Sequence, residues 1–355
     1  MIYFIYIQKA KDFYEELHKE VNSYFTQHNK SDKWNWILYS KTIILLSLRV
    51  ALYVLLLFSW QRYAIISIIL YILFWITWAL IWFNVMHDGW HGSYSKNKKI
   101  NTITWYAMNI LWSDINFWKI SHNVLHHTYT NIEGYDDDIE NRPIFRFHPD
   151  QKLKRFHKYQ YIYWPIFYWF WLGNWIFYSD FRKFFKWSRW EHKLITLKFK
   201  DKIIFRATKL WIILFYYIIP ATQIGWITAL IGLIVMYYVM SLFIITIFQL
   251  AHIVEDTQMT TPIDYKVEEN RAIHEINTTA NFAMNSKFLS RILGGLNFQI
   301  EHHLFPKVSH IHYPNISHIV QKVCKKYDVK YNAYTTFFHA VKSHIRFIRK
   351  MWYTD

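Results

Sequence analysis

The chain has 355 residues, 53% of them apolar and 21% aromatic, with a formal net charge of +16 and a mean hydropathy near zero. So aromatic a chain is rare among soluble domains and suits a membrane interface, where Trp and Tyr seat an apolar ring beside a polar tip; the hydropathy limits it to a few spans plus a large basic portion. The 8 glycines form no G-x-G-x-x-G, P-loop or G-x-S-x-G, and the single Cys324 excludes an internal disulfide, a thiolate zinc site or an iron–sulfur cluster.

The opening "MIYFIYIQKAKDFYEELHKEV" has its apolar run before any basic residue and turns polar at once, so no cleavable signal peptide is expected. Residues 8–27 predict an amphipathic helix with Phe13, Leu17, Val21 and Tyr24 on one stripe. The run Thr42–Ser59 is about one bilayer thick as a helix, and Arg49 inside it must face protein or snorkel. After "WQRY", a second run covers Ala64–Met86, and "VMHDGWHGSYS" places His87 and His91 where it ends. "SHNVLHHTYTN" follows with His122, His126 and His127, then an acidic run, Asp136–Asp138, expected to be solvated charge. Tyr159–Tyr178 carries no charge but has basic flanks and contains Pro165, Gly173 and Asn174; it is expected to lie at the interface or to re-enter.

Leu210–Val254 is long enough for two further spans with a turn near Pro220–Gly225, and His252 ends the second of them. "NFQIEHHLFP" supplies His302 and His303, with Gln299 three residues before. The two hairpin turns carry one charge, Arg62, whereas Arg182, Lys183, Lys186, Arg189 and Lys193 crowd the segment between the hairpins. The positive-inside rule therefore puts that segment and both termini in the cytosol. The expected architecture is an all-α integral membrane protein with four transmembrane helices in two hairpins under a cytosolic helical cap. Its parts are a cytosolic amphipathic segment (1–41), hairpin 1 (42–86), a cytosolic region with the first two His clusters (87–202), hairpin 2 (203–254) and a cytosolic C-terminal region with the third cluster (255–355).

Eight of the 19 histidines fall into this pattern. His87 and His91, like His122 and His126, stand one helical turn apart on one face. H-D-G-W-H alone resembles a zinc-protease box, but Asp is a carbon shorter than the usual Glu. In the four-span topology all eight imidazoles emerge at one membrane face. That is too many for a single catalytic zinc, which takes three protein ligands, and suits two metal ions with about four nitrogens each. Imidazole suits iron, and iron activates dioxygen. At the mouth of an apolar bundle such a site invites an acyl chain, whose C–H bonds yield to a strong oxidant and not to acid–base chemistry.

H-D-x-x-H at His87–His91, H-x-x-x-H-H at His122–His127 and Q-x-x-H-H at Gln299–His303 resemble the three histidine boxes of membrane fatty acid desaturases. "LGGLNFQIEHHLFP" and "KISHNVLHHTYTNIEGYDDDIE" are similar to the front-end and linoleoyl-CoA-desaturase-like subgroup, and the resemblance runs from about Phe25 to Arg349. It implies two non-haem iron ions that use dioxygen and two electrons to install a cis double bond, of the polyunsaturated front-end type, in the acyl chain of an acyl-CoA or a phospholipid. His87, His91, His122, His126, His127, His252, His302 and His303 would be the iron ligands, Gln299 a weak ligand or an orienting group, and Asp88 a carboxylate that orients a ligand imidazole.

The haem motif of the cytochrome b5 domain fused to many eukaryotic relatives does not occur in the sequence, so a separate donor, ferredoxin or free cytochrome b5, is expected. The basic face suits an acidic carrier, coenzyme A or a lipid phosphate; no nucleic-acid module is visible. The membrane would be a bacterial plasma membrane or endoplasmic reticulum. A di-iron hydroxylase is the rival in the same superfamily, and a non-catalytic membrane metal carrier the rival from another class. His274 precedes the third box and is open to a role near the site. His148, His157, His192, His310, His312, His318, His339 and His344 lack box spacing and are expected at surfaces or interfaces.

Overall fold

The computed structural model describes residues 3–4, 8–33, 35–59, 63–111, 113–139, 144–185, 188–189, 192–193, 196–264, 266–267 and 269–354. Arg62 and Lys186, and the side chains of Arg189, His192 and Lys193, lie outside the described residues. Helix α1 (Gln8–Gln27) is followed by a first hairpin, α2 (Trp36–Phe58) and α3 (Ala64–His91). Then come α4 (Lys98–Leu111), α5 (residues 115–129) and α6 (residues 160–185). A second hairpin, α7 (Phe199–Ile224) and α8 (Trp226–His252), leads to α9 (Arg271–Asn277), α10 (Lys287–Ile292), α11 (Gln299–Leu304), α12 (Tyr313–Tyr327) and α13 (Phe337–Lys350). Among the described residues, four helices, α2, α3, α7 and α8, are long and apolar enough to cross a membrane.

These four are not equivalent. In their most apolar stretches α3 and α8 are 44% buried, against 22% for α2 and 28% for α7. The inner pair is therefore the pair that ends in His87, His91 and His252. Its close approach depends on Gly232 of α8, where a Cβ would stand 2.8 Å from the Tyr71 ring of α3. Gly225, at φ 88°, makes the sharp turn between α7 and α8 that a residue with a Cβ would resist.

Arg49 turns to protein. Its Nη1 donates to the Phe74 carbonyl at 3.1 Å, and its guanidinium lies 4.0 Å from the centre of the Phe74 ring. Helix α2 starts ahead of its apolar run because Asn35 caps it, Oδ1 accepting from Leu38 N–H at 3.0 Å. Helix α7 also starts early, at Phe199, where the Lys198 N–H donates to Asp201 Oδ2 at 3.1 Å, and further along Lys209 pairs with Asp180 of α6 at 2.8 Å.

Residues 159–178 form most of α6, a continuous helix along α8. Leu172 N–H donates to Ser241 Oγ at 2.9 Å, while Ile162, Ile166 and Phe170 stay on the outer face. In the cap, Phe13, Leu17, Val21 and Phe25 of α1 are buried against Ile316, Val320 and Val323 of α12, with Tyr24 at the edge of that stripe. Three two-residue strand pairs and two short 3-10 helices, Arg155–Tyr159 and His310–His312, complete the described helices and strands. One of the strand pairs, the parallel pairing of Asn281–Phe282 with Ala333–Tyr334, ties the segment before α10 onto the segment before α13.

Candidate metal centre

Local sequence explains how each imidazole is presented. The His87–His91 turn ends abruptly because Gly92 takes the left-handed conformation (φ 68°) and Ser93 N–H returns to the Asp88 carbonyl at 2.9 Å. Just upstream, Trp82–Met86 widens to a π-turn in which His87 N–H reaches back to the Trp82 carbonyl. A second π-turn spans Lys119–His126, with His127 N–H on the His122 carbonyl. Such bulges are frequent at functional sites because one extra residue re-aims the side chains that follow. Gly294, at φ 59°, lets the loop before α11 touch α3: a Cβ there would sit 2.1 Å from the Phe83 carbonyl oxygen. Asn84 Nδ2 seals the contact by donating to the Ile292 carbonyl at 2.9 Å. Asn131, at φ 56°, donates to the carbonyls of His252 and Thr278 at 2.9 and 3.2 Å and so joins the second box to the end of α8.

The structure brings all eight imidazoles together. His87, His91, His122 and His302 form one group, and His126, His252 and His303 a second; within each, one ring nitrogen per residue lies within 4.8 Å of the others. His127 joins them, its ring 4.7 Å from His302 and 4.4 Å from His303, centre to centre. With metal–imidazole bonds of about 2.1 Å, nitrogens on one ion stand at most about 4.2 Å apart, so each group, bounded at 4.8 Å, is close to the span of one ion's ligand set and would draw in slightly around it.

Seven of these rings carry a buried nitrogen with no partner among the described residues: Nε2 of His87, His91, His252, His302 and His303, and Nδ1 of His122 and His127. An unpaired buried polar atom costs about 1–3 kcal/mol. Seven such atoms within one cluster of imidazoles, where His122 and His127 also face each other through Nε2 at 3.3 Å, fit a site built for metal. Burial, reinforced by the neighbouring imidazoles, holds His122, His127, His302 and His303 well below the usual imidazole pKa, in the neutral form that binds metal.

The outer ring nitrogens are braced, chiefly in the second group. With the proton on Nδ1, His126 donates to Asp136 at 3.0 and 3.2 Å, and His303 to Glu275 Oε2 at 2.7 Å. His252 donates to the Thr278 carbonyl at 3.2 Å. Burial opposes charge on His126, but Asp136 and Asp138 outweigh it and raise its pKa to about 9. Burial raises Glu275 to about 7. Asp136 is fully buried and accepts from Asn131 and Asp138 N–H as well, so the acidic run is not solvated charge. It belongs to the site, and so does Glu275; spacing along the chain gave no sign of either.

Asp88 faces away from the eight. Its carboxylate accepts from Ser309 Oγ at 2.7 Å and His310 Nδ1 at 2.9 Å, so the imidazole it orients is His310. Gln299 is buried at the start of α11 with Nε2 unpartnered among the described residues. His274 is buried beside Glu275, its Nε2 donating to the Thr130 carbonyl at 2.9 Å. Of the histidines without box spacing, His318 and His339 are exposed, while His148, His157, His310, His312 and His344 are buried. Backbone groups accommodate several of them: His148 meets the Thr260 carbonyl and His344 the Ile253 carbonyl. A cavity of about 170 Å³ adjoins the second group, lined by Trp118, Trp175, Ile245, Phe248, Gln249 and His252, with Arg182 and Lys183 also at its wall.

A fatty acid desaturase family model matches residues 59–335. The chain is 31% identical over 348 residues to the sn-1 linoleoyl-lipid 6-desaturase of Arthrospira platensis, covering 97% of this chain and 93% of that one. It is 32% identical over 354 residues to the enzyme of the same name from Synechocystis sp., covering 97% and 96%. Against the acyl-lipid (8-3)-desaturase of Physcomitrium patens it is 32% identical, covering 97% of this chain and 72% of the relative. The chain belongs to the fatty acid desaturase family: it is an oxidoreductase of lipid metabolism, a membrane protein with four apolar helices, and its His clusters are compatible with a metal site.

Proposed function

We propose that this desaturase installs a cis double bond toward the carboxyl end of acyl chains carried on membrane lipids, at a pair of non-haem iron ions on the cytosolic face. The relatives named above act, by name, on acyl lipids, and two of them on the 6 position of linoleoyl groups. The observation that carries the reading is the set of buried, partnerless ring nitrogens in a cluster of eight imidazoles beside a cavity that has an aromatic wall, Trp118, Trp175 and Phe248, and a polar one, Asp137, Asp138, Arg182 and Lys183. His87, His91, His122 and His302 would hold one ion, and His126, His252 and His303 the other, with His127 between them. When bound, the metal pair supplies the dioxygen-dependent oxidation that removes hydrogen from an unactivated carbon chain. In the balance, two vicinal hydrogens leave the chain, dioxygen takes these with two electrons and two protons, and two waters form.

The protein's own tasks are orientation and exclusion. Asp136, Glu275 and the Thr278 carbonyl fix the second group's rings with Nε2 inward. Trp118 stacks on His122 at 4.6 Å, and with Trp175 and Phe248 forms an apolar wall suited to an extended chain held away from water. Gln249, three residues before His252, presents an unpartnered Oε1 among the described residues at that wall. Electrons come from a separate carrier, ferredoxin or cytochrome b5.

The test is a fatty acid methyl ester profile of cells that express the chain and are fed linoleate, beside a His302→Ala control. The expected result is a new ester lighter by two hydrogens, its added double bond nearer the carboxyl group, present only with the intact protein. A product heavier by one oxygen would replace this reading with hydroxylation.

A further inference from the structure

Seven of the eight clustered imidazoles are shut off from solvent, the most open being His303 at 5%. His91 alone of the eight retains partial exposure, and its Nε2 is buried without a partner among the described residues. His91 is therefore the least enclosed of the eight residues, and the layer of protein between the surface and the imidazole cluster is thin there. The cavity beside His252 gives no second entry, since the reading above fills it with the acyl chain.

The exposed charges carried by residues 91–131 are all positive. Lys119, exposed, lies over the ring of Trp90, the residue next to His91, at 5.9 Å. Lys96, Lys98 and Lys99, all exposed, stand at the corner where the chain leaves Gly92 for α4; that corner is held against the site by Asn101, which exchanges two hydrogen bonds with Ser95. From His91 to Asn131 the sequence holds one acid, Asp114, and it is 2% exposed. An exposed Val124, one turn from His127, adds an apolar contact.

Resting on the function proposed above, we infer that this face, centred on the His91 edge and bounded by Lys119 and the Lys96–Lys99 corner, is the docking surface for a small acidic one-electron carrier. Each docking oxidises one carrier and reduces the metal site by one electron, and two dockings serve one turnover. Charge complementarity governs encounter more than final affinity, so the interaction weakens as salt rises. An anionic lipid surface would also suit the lysines, but covering this face with lipid would leave the buried imidazoles no access to a reductant.

The experiment uses iron-loaded, full-length protein in lipid nanodiscs, with turnover driven either by a reduced acidic ferredoxin or by a small photoreduced flavin. The double variant Lys119→Glu/Lys98→Glu is compared with wild type and with Lys342→Glu, a charge reversal on α13. The double variant is expected to raise the apparent KM for ferredoxin roughly tenfold or more and to flatten its salt dependence, while flavin-driven turnover stays within about twofold and Lys342→Glu changes neither. An unchanged ferredoxin KM overturns the proposal. So does a loss confined to binding of anionic vesicles, which would make the face a lipid contact. Failure of wild-type protein to turn over even with the flavin would instead remove the reading on which the proposal rests.

Discussion

The two imidazole groups are built on different principles. In the second, each ring is fixed from behind by an acceptor: Asp136 behind His126, Glu275 behind His303 and the Thr278 carbonyl behind His252. In the first, the nearest equivalent is a long contact of 3.4 Å between His302 Nδ1 and the Tyr313 hydroxyl. His122 is held by stacking on Trp118, and His87 and His91 by the π-turn and the glycine that bracket them. Electrostatic bracing raises the basicity of a ligand and packing does not. Two metals held by these groups would therefore meet unequal electron density, and the group nearer solvent is the less strongly braced.

The largest expected effect comes from removing a brace. Glu275→Ala leaves His303 unsupported and should weaken metal binding at the second group by about 10–100-fold, so that purified protein approaches one metal per chain by elemental analysis and makes no alkene. Asp136→Asn keeps a neutral acceptor and should cost less, toward the lower end of that range. Chelator titration tests the comparison without mutation: the first group should empty earlier, giving two phases of metal release, and a single phase would refute the asymmetry. Tyr313→Phe removes only the long contact to His302 and should change metal content less than about threefold.

The smallest effect is expected far from both groups. Burial lowers His344 to about 4, where its Nδ1 donates to the Ile253 carbonyl and its Nε2 accepts from the Tyr168 hydroxyl at 3.1 Å. Because the folded value lies below the unfolded one, the unfolded chain takes up the proton first as pH falls. Stability is therefore lost from about pH 6.5 down toward pH 4, by at most on the order of 3 kcal/mol. His344→Phe should flatten the acid limb of thermal stability in that window without altering metal content at neutral pH.

The eight imidazoles were legible because helical spacing and span ends are local signals. The turn at Gly225 and the stripe Phe13, Leu17 and Val21 were legible for the same reason. What escaped is what only folding brings together. Glu275 meets His303 across 28 residues, and His310 meets Asp88 across 222. Asp136 looked like loop charge because nothing in a run of three aspartates says which one turns inward. His148 and His344 looked like surface residues because a buried backbone carbonyl that takes an imidazole N–H leaves no trace in spacing. Residues 159–178 were ambiguous for a related reason: aromatic side chains serve an interface and a helix–helix seam equally well, and the seam with α8 depends on Ser241.

The π-turn at Trp82–Met86 has a consequence for how such an enzyme meets its membrane. One surplus residue shifts the phase of everything after it by about 100° relative to an uninterrupted α-helix. The lipid-facing stripe of α3 and the heading of His87 and His91 are consequently separate variables. The apolar part of the helix can keep its register with the bilayer while the metal-facing end is rotated on its own. Dropping one residue within Trp82–Met86 would leave the hydrophobic length almost unchanged and swing both imidazoles away from their group. Membrane fit and catalytic aim are set by different stretches of one continuous rod.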